Sequence, residues 1–209
     1  MLKHQLPTPS LVVNLEVLEK NIRVMASLAK EVGVQLRPHI KTHKNVNIAK
    51  MQLDEGAIGV TCATVSEAEV MVAGGIEDIF IAYPLFGDYQ LTKAAELNKK
   101  CRLKVGFDSA LAAERWSRFG AEYNTAFNLV MIVNTGGNRD GVLPEEALEL
   151  ATSIEDLPHI KLMGVMTHEG HMHQNTETAS MLQAARMAAE QLVFAAERLR
   201  QAGFEISTV

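Results

Sequence analysis

The sequence predicts an α/β fold, a (β/α)8 barrel in which helices surround a parallel sheet. Strand-like segments alternate with helix-like segments along all 209 residues, and the strands are nearly continuous apolar runs, as expected when both faces of a sheet are covered. In a barrel the carboxyl ends of all strands meet at one rim, where barrel enzymes carry out their chemistry. Polar or reactive residues recur at the strand ends of this chain: Lys41, Thr64, Tyr83, Asp108, Asn134 and His168.

The first helix is predicted over 15–32, because apolar residues recur there at helical spacing. Asn14 is a suitable N-cap for it, and Gly33 a suitable end. Seven strands do not close an eight-stranded barrel, so we expect the barrel to be incomplete at its C-terminus. The predicted strands are 33–36, 57–63, 78–84, 102–108, 127–134, 161–168 and 205–209.

Five further helices connect or follow the later strands. The first of them is predicted to end at Gly74 and Gly75. The last is predicted over 176–202 and is followed by Gly203. The starts predicted for the first four are a capping box of Ser66 with Glu69, then Asp88, Asp108 or Ser109, and Pro144.

An open, doubly wound sheet is the alternative that shares this alternating pattern. Its nucleotide-binding form carries G-x-G-x-x-G after the first strand. This chain has RPHIKTHK, residues 37–44, in that place. The motif therefore favours the barrel.

The length of 209 residues allows one sizeable domain or two small ones, and we expect a single barrel domain over 1–209 that is incomplete at its C-terminus. Composition also argues against several classes of partner. The 20 Lys and Arg residues against 25 Asp and Glu residues leave a net charge of −5, which argues against a nucleic acid or an anionic membrane as partner. The two cysteines, Cys62 and Cys101, lie in apolar segments without zinc-type spacing, so we expect buried free thiols. The sequence shows no signal peptide and no membrane-spanning run, so we expect a cytoplasmic protein.

The basic segment RPHIKTHK places Lys41 at the end of the first predicted strand. Alternate residues of a strand share a face, so Arg37, His39 and Lys41 are expected to face the barrel mouth together if the strand persists through Pro38, which lacks a backbone donor. Crowding by these cations and by His43 would favour the neutral amine that a nucleophilic lysine needs. A solvated basic turn is the other interpretation of the same residues.

Five stretches of the chain resemble the D-threonine aldolase and D-serine dehydratase family and follow the family's order over about 7–203. The resemblance implies a barrel of the alanine racemase kind, in which Lys41 forms a Schiff base with pyridoxal 5′-phosphate. Lys44 would be a charge in a loop or at a helix start. The matching stretches are TPSLVVNLEVLEKNI, LRPHIKTHK, GAIGVTCATVSEAEVMVAGGIEDIFIAYP, VNTGGNRDGV and GVMTHEGH.

The same resemblance assigns Arg139 to the cofactor. Arg139 follows two glycines that allow a tight turn and close approach to a ligand. An arginine at this position is expected to donate a hydrogen bond to the phenolic oxygen of the cofactor, and its permanent charge would keep that oxygen ionised. An arginine on a surface turn is the alternative.

The segment THEGHMH, residues 167–173, holds three of the seven histidines. The resemblance implies that His168 packs beside the pyridine ring. It also makes His171 or His173 the candidate acid–base group near the substrate hydroxyl, since imidazole titrates near neutral pH. The spacing also allows a metal site of Glu169, His171 and His173, but we predict no metal within this chain, because the family's divalent metal is held by a C-terminal β-domain that we expect to lie outside it.

These features together predict a pyridoxal-phosphate-dependent lyase that cleaves D-β-hydroxy-α-amino acids to glycine and an aldehyde, as D-threonine aldolase does. A D-serine dehydratase or an amino-acid racemase of the same fold is the alternative, and a non-catalytic pyridoxal-phosphate carrier is the alternative from another class. The expected partners are a small D-amino acid and, at full length, a second copy of the chain. No Gly/Ser-rich phosphate loop follows the later strands, so we expect the 209-residue piece by itself to fold poorly and to be inactive.

Overall fold

Five parallel strands form one sheet in the computed structural model, which describes residues 5–174 and 177–209, without the side chains of 173 and 174. The strands follow one another in the sheet in the same order as in the chain. A doubly wound sheet would reverse its strand order at a switch point, so the sequential order decides in favour of the barrel type. The strands are β1 Val60–Cys62, β2 Asp78–Ile81, β3 Arg102–Phe107, β4 Phe127–Ile132 and β5 Ile160–Met166.

The helices match the predicted pattern with one addition, the helix that follows the basic segment and begins after the N-cap Asn45. Asn14 caps the first helix as predicted, because its side chain accepts a hydrogen bond from the amide of Val17 at 3.1 Å. The helices are α1 Leu15–Glu31, α2 Val46–Asp54, α3 Val65–Ala73, α4 Asp88–Asn98, α5 Ala110–Tyr123, α6 Ala147–Ser153 and α7 Thr178–Gln201.

The prediction of seven strands was wrong for the first and the last. Each of these segments lies beside the sheet edge where it was expected but forms a single bridge, from His39 to Thr61 and from Gly164 to Thr208. Pro38 has no N–H to donate, which interrupts the pairing of the first segment beside β1. The last segment bonds to β5 through the backbone of Ser207 and Thr208, near the end of the segment. Hydrogen bonds therefore do not close the sheet into a barrel in the described part of the chain.

Two predicted helix starts were also wrong. The N-cap of α3 is Thr64, whose hydroxyl accepts from the amide of Glu67 at 3.2 Å, while the Glu67 carboxylate accepts from the amide of Ala63 at 2.7 Å. The side chains of Thr64 and Glu67, spaced as T-x-x-E, thus accept hydrogen bonds from free amides at the start of the helix, and the N-cap lies two residues before Ser66. Pro144 lies in the turn that precedes α6, in which the amide of Glu146 donates to Leu143.

The hydrophobic core lies between the sheet and the helices. Alternate residues of β3 and β4 are buried against the helices, and Trp116 of α5 packs its ring 4.6 Å from that of Phe127. Neighbouring strands pair in parallel, so their carboxyl ends lie at the same end of the sheet. None of the helices in the described ranges combines the length and hydropathy needed to span a bilayer.

Candidate active site

Polar side chains that follow β4 and β5 surround one cavity of about 190 Å³ at the carboxyl end of the sheet. Three of the five predicted site residues, Arg139, His168 and His171, line it. Complete small-molecule sites usually measure about 300–1,000 Å³, so this cavity can receive part of a ligand. Its full lining is Val133, Asn134, Thr135, Gly137, Arg139, Asp140, Thr167, His168, Gly170 and His171.

The loop after β4 folds back on itself and forms one wall of this cavity. The side chain of Asn134 accepts hydrogen bonds from the amides of Gly136 and Asn138, each at 3.0 Å. Gly136 has φ +121°, a conformation that side chains rarely allow. The loop returns to the carboxyl end of β4 through a bridge between Val133 and Val142. The glycines predicted to allow a tight turn therefore do so.

His171 packs on this turn, so the two motifs NTGGNRDGV and THEGHMH form one site. A Cβ atom added at Gly136 would lie 3.1 Å from Nε2 of His171. Nδ1 of His171 is buried and has no hydrogen-bond partner among the described residues. A buried polar atom without a partner is costly to stability, and the His171 side chain that carries it lines the cavity. The imidazole of His171 is therefore a candidate group to bind a ligand.

The ring of His168 is held against the backbone of the next turn. Its Nδ1 accepts a hydrogen bond from the amide of Gly170 at 3.1 Å. A Cβ atom at Gly170 would lie 2.6 Å from Cε1 of the ring, so only glycine leaves room for it. The hydroxyls of Thr135 and Thr167, 2.7 Å apart, join the two strand ends beside it. The imidazole thus has one defined orientation at the cavity wall.

Arg139 is paired with a carboxylate that sequence reasoning missed. Its Nε and Nη2 contact Oδ2 of Asp140 at 3.2 and 3.1 Å. The arginine side chain is 53% exposed, and that of Asp140 only 15%. The side chain of Arg139 is therefore partly exposed to solvent and also lines the cavity. Asp140 stands next to it in the matching stretch NTGGNRDGV, which was the signal available in the sequence.

Lys41 lies on a short 3₁₀ helix, Ile40–Thr42, and not on a strand. Nδ1 of His39 accepts a hydrogen bond from the amide of Lys41 at 3.2 Å, and the side chain of Ile40 is fully buried. Lys41 itself is exposed and lies outside the cavity lining. Burial lowers the pKa of His39, and the charges of Lys41 and His168 lower it further. His39 therefore interacts electrostatically both with Lys41, in the turn formed by residues 39–44 (the lysine turn), and with His168 at the cavity wall.

The expected cation crowding around Lys41 is not found. Nη1 of Arg37 lies 2.7 Å from Oδ1 of Asp78, an ion pair without hydrogen-bond alignment. Asp78 begins β2, so this pair is at the amino end of the sheet, opposite the site. His39 and His43 accept hydrogen bonds through Nδ1, which only an unprotonated nitrogen can do, and burial lowers the pKa of both.

Comparison with known proteins identifies the family. A family model described as alanine racemase, N-terminal domain, matches residues 13–209. This chain belongs to the alanine racemase N-terminal domain family.

Similar members of this family include two curated enzymes and one solved structure. The chain is 36% identical to D-threo-3-hydroxyaspartate dehydratase from Delftia sp. (strain HT23) over 98% of its length and 54% of that enzyme. It is 35% identical to D-threonine aldolase from an Arthrobacter species, over 97% of the chain and 54% of the enzyme. The structure of D-threonine aldolase from Filomicrobium marinum superposes with a TM-score of 0.93 at 32% identity, covering 97% of this chain and 55% of that one. The chain thus spans about half the length of these relatives.

The metal site that the spacing of THEGHMH allows includes His173, whose side chain lies outside the described part of the structure, so this alternative is not tested. Within 5–174 and 177–209, no group of three or more His, Cys, Asp or Glu side chains is placed to hold a metal ion. The predicted site residue His173 is in a 3₁₀ helix, Gly170–Gln174, but its side chain lies outside the described part of the structure. The predicted catalytic role of His173 therefore stays a prediction.

The two histidines of the lysine turn predict that stability depends on pH. In the unfolded chain their pKa is about 6.5, and in the folded chain it is lower. The unfolded state then binds more protons below pH 6.5, so the stabilisation is complete above that pH and is lost as the pH falls toward the lowered pKa. The variant His39→Asn keeps a hydrogen-bond acceptor but does not titrate. When the pH is lowered from about 7.5 to about 5.5, we expect its Tm to fall by less than the Tm of the wild type.

The matched control for this experiment is His159→Asn, at an exposed position. Its loss of Tm over the same pH range should equal that of the wild type. An equal loss in all three proteins would show that protonation of His39 does not affect the fold.

Proposed function

We propose that this chain is the cofactor-binding barrel portion of a pyridoxal-phosphate-dependent lyase that acts on D-β-hydroxy-α-amino acids. The observation that carries the proposal is the single cavity at the carboxyl end of the sheet that Arg139, His168 and His171 line together. The two curated relatives are an aldolase and a dehydratase, each named for a D-β-hydroxy-α-amino acid. The substrate and the reaction follow from that likeness.

The residues present are suited to this cofactor. Lys41 supplies an exposed primary amine for its aldehyde group. Arg139 supplies a permanent positive charge for the phenolic oxygen, and the ring of His168, held by the Gly170 amide, offers a flat surface for the pyridine ring. The cavity has room for part of such a ligand, in agreement with a site shared between these strands and other parts of the protein.

When bound, pyridoxal 5′-phosphate withdraws electrons from the bonds at the substrate α-carbon. The chain's own residues then orient the substrate and move its protons. Arg139 would hold the phenolic oxygen ionised, and the imidazole of His171 would take the proton from the β-hydroxyl during cleavage of the Cα–Cβ bond. Both actions need groups held in place before the reaction, which the glycine turns provide.

Dehydration of the same class of substrate is the second candidate function, because the relative at 36% identity is a dehydratase. In that reaction His171 would donate a proton to the departing hydroxyl instead of accepting one. Racemisation and a non-catalytic carrier role stay alternatives. The expected homodimer, the cytoplasmic location and the divalent metal of the full-length protein stay predictions.

Borohydride reduction of the full-length protein with pyridoxal 5′-phosphate, followed by peptide mass mapping, tests the proposal. The expected result is one labelled peptide that carries the cofactor on Lys41. Assay of D-threonine for glycine and of D-serine for pyruvate then separates cleavage from dehydration. Absence of label on Lys41, or label on Lys44 alone, would overturn the cofactor assignment. A labelled protein without either activity would favour the carrier.

A further inference from the structure

We propose that Glu67 is a positioning residue which, through Lys44, holds the turn that carries Lys41 and keeps the Lys44 amine out of the reaction. This inference rests on the function proposed above. Neither residue was given a role in the reaction by the sequence, where Lys44 was predicted to be a loop or helix-start charge. The structure shows that the two residues contact each other beside the candidate site.

Glu67 ties the lysine turn to the end of β1. It is 8% exposed, and its two carboxylate oxygens serve different partners. Oε2 accepts from the amide of Ala63 at 2.7 Å, and Oε1 lies 3.1 Å from Nζ of Lys44. Burial acts to raise the pKa of Glu67, but the Ala63 amide and the Lys44 ammonium lower it overall. The carboxylate is therefore ionised and bonded on both sides.

Lys44 closes the turn in a conformation that lysine rarely adopts. Its φ is +46°, in the left-handed region that favours glycine and asparagine. Its amide donates to the carbonyl of Ile40 at 2.7 Å, which closes the 3₁₀ helix around Lys41. Such backbone strain persists only where the surroundings hold it, and it concentrates at functional sites. The ion pair with Glu67 is the contact that holds the Lys44 side chain.

The turn is thus fixed on both sides of Lys41. On one side His39 forms a bridge to Thr61 of β1, and on the other Lys44 is bound to Glu67. Lys44 is itself a primary amine three residues from Lys41, with 64% of its side chain exposed. An ammonium group paired with a carboxylate is a poor nucleophile. The pair therefore directs the aldehyde to Lys41 as well as positioning that residue.

The position of the borohydride label on the full-length protein tests this proposal, with pyridoxal 5′-phosphate as the probe. The lysine amine condenses with the aldehyde and releases water, and borohydride then supplies hydride that makes the new bond permanent. In the wild type we expect label on Lys41. In Glu67→Gln we expect Lys41 to be labelled about tenfold more slowly, the size expected for coupled residues in contact, and part of the label to appear on Lys44.

Two variants of Lys44 separate the side-chain contact from the backbone strain. Lys44→Met should slow labelling of Lys41 as much as Glu67→Gln does, and the double variant should be no slower than either single one. Lys44→Gly removes the strain as well as the contact, and we expect it to remain slow. Labelling of Lys44→Gly at the wild-type rate would show that the contact with Glu67 is not needed and would overturn the proposal.

Glu69→Gln is the matched control, because Glu69 lies on the same helix and its carboxylate pairs with Lys93 at 3.6 Å. It should be labelled on Lys41 at the wild-type rate. Wild-type rate and position of label in Glu67→Gln would also overturn the proposal. If Glu67→Gln fails to fold by circular dichroism, Lys44→Met at its exposed position still decides the question. A wild type without label on Lys41 would instead contradict the proposed function.

Discussion

Replacing Lys41 with alanine is expected to remove the covalent link to the cofactor and to lower kcat/KM on D-threonine or D-serine by roughly a thousandfold or more, as expected for loss of a covalent catalytic group. The fold should be retained, because Lys41 is exposed and its amide still donates to His39. Activity assays, borohydride labelling and thermal melting on the full-length protein measure the three effects.

Lys50→Ala is the matched control for this variant. Lys50 is an exposed lysine on α2, nine positions further along the chain, and its replacement should leave both activity and labelling unchanged. If Lys41→Ala retained activity within about tenfold of the wild type, covalent catalysis by Lys41 would be ruled out.

Replacing His171 with asparagine is expected to lower kcat by about a hundredfold or more, the usual contribution of a general acid–base group. Asparagine is polar and fits beside Gly136, but it does not transfer protons near neutral pH. The visible absorbance of the bound cofactor should be unchanged, because in the proposal Lys41, Arg139 and His168 hold it. The measurement is steady-state kinetics with an absorbance spectrum of each protein.

The control is His159→Asn, which makes the same change at an exposed histidine outside the cavity lining. Its φ of +62° is one that asparagine accepts, so the fold should not be disturbed. His173→Asn, assayed in parallel, separates the two candidates. Near-wild-type kcat in His171→Asn would show that its unpartnered nitrogen has no part in proton transfer.

Much of the fold could be predicted because its signals are local. The cap at Asn14, the glycine end at Gly33 and the apolar runs of the central strands all act within a few residues, and the structure confirms them. The edge segments before Lys41 and at 205–209 could not be assigned correctly, because strand formation there depends on a neighbour in space. Each has one neighbour and forms one bridge.

The site was predicted in part for the same reason. The glycine turn and the histidine segment were each recognisable, but their contact, His171 on Gly136, joins residues 35 positions apart and follows only from the adjacency of β4 and β5. The expected direction of Arg37 required strand alternation to persist through Pro38, and no strand is present there. Asp78, at the start of the neighbouring strand, binds the guanidinium instead.

The sequence by itself determined the alternation of strands and helices and the chemical groups offered at the strand ends, since these depend on periodicity and on short motifs. Only the tertiary structure decided which groups meet. It placed Arg139, His168 and His171 around one cavity, left Nδ1 of His171 without a hydrogen-bond partner among the described residues, and brought Glu67 to Lys44. The physical reason is that the partners of a side chain depend on distance and burial. Both are set by the packing of segments that are far apart in the chain, so a local sequence pattern does not predict them.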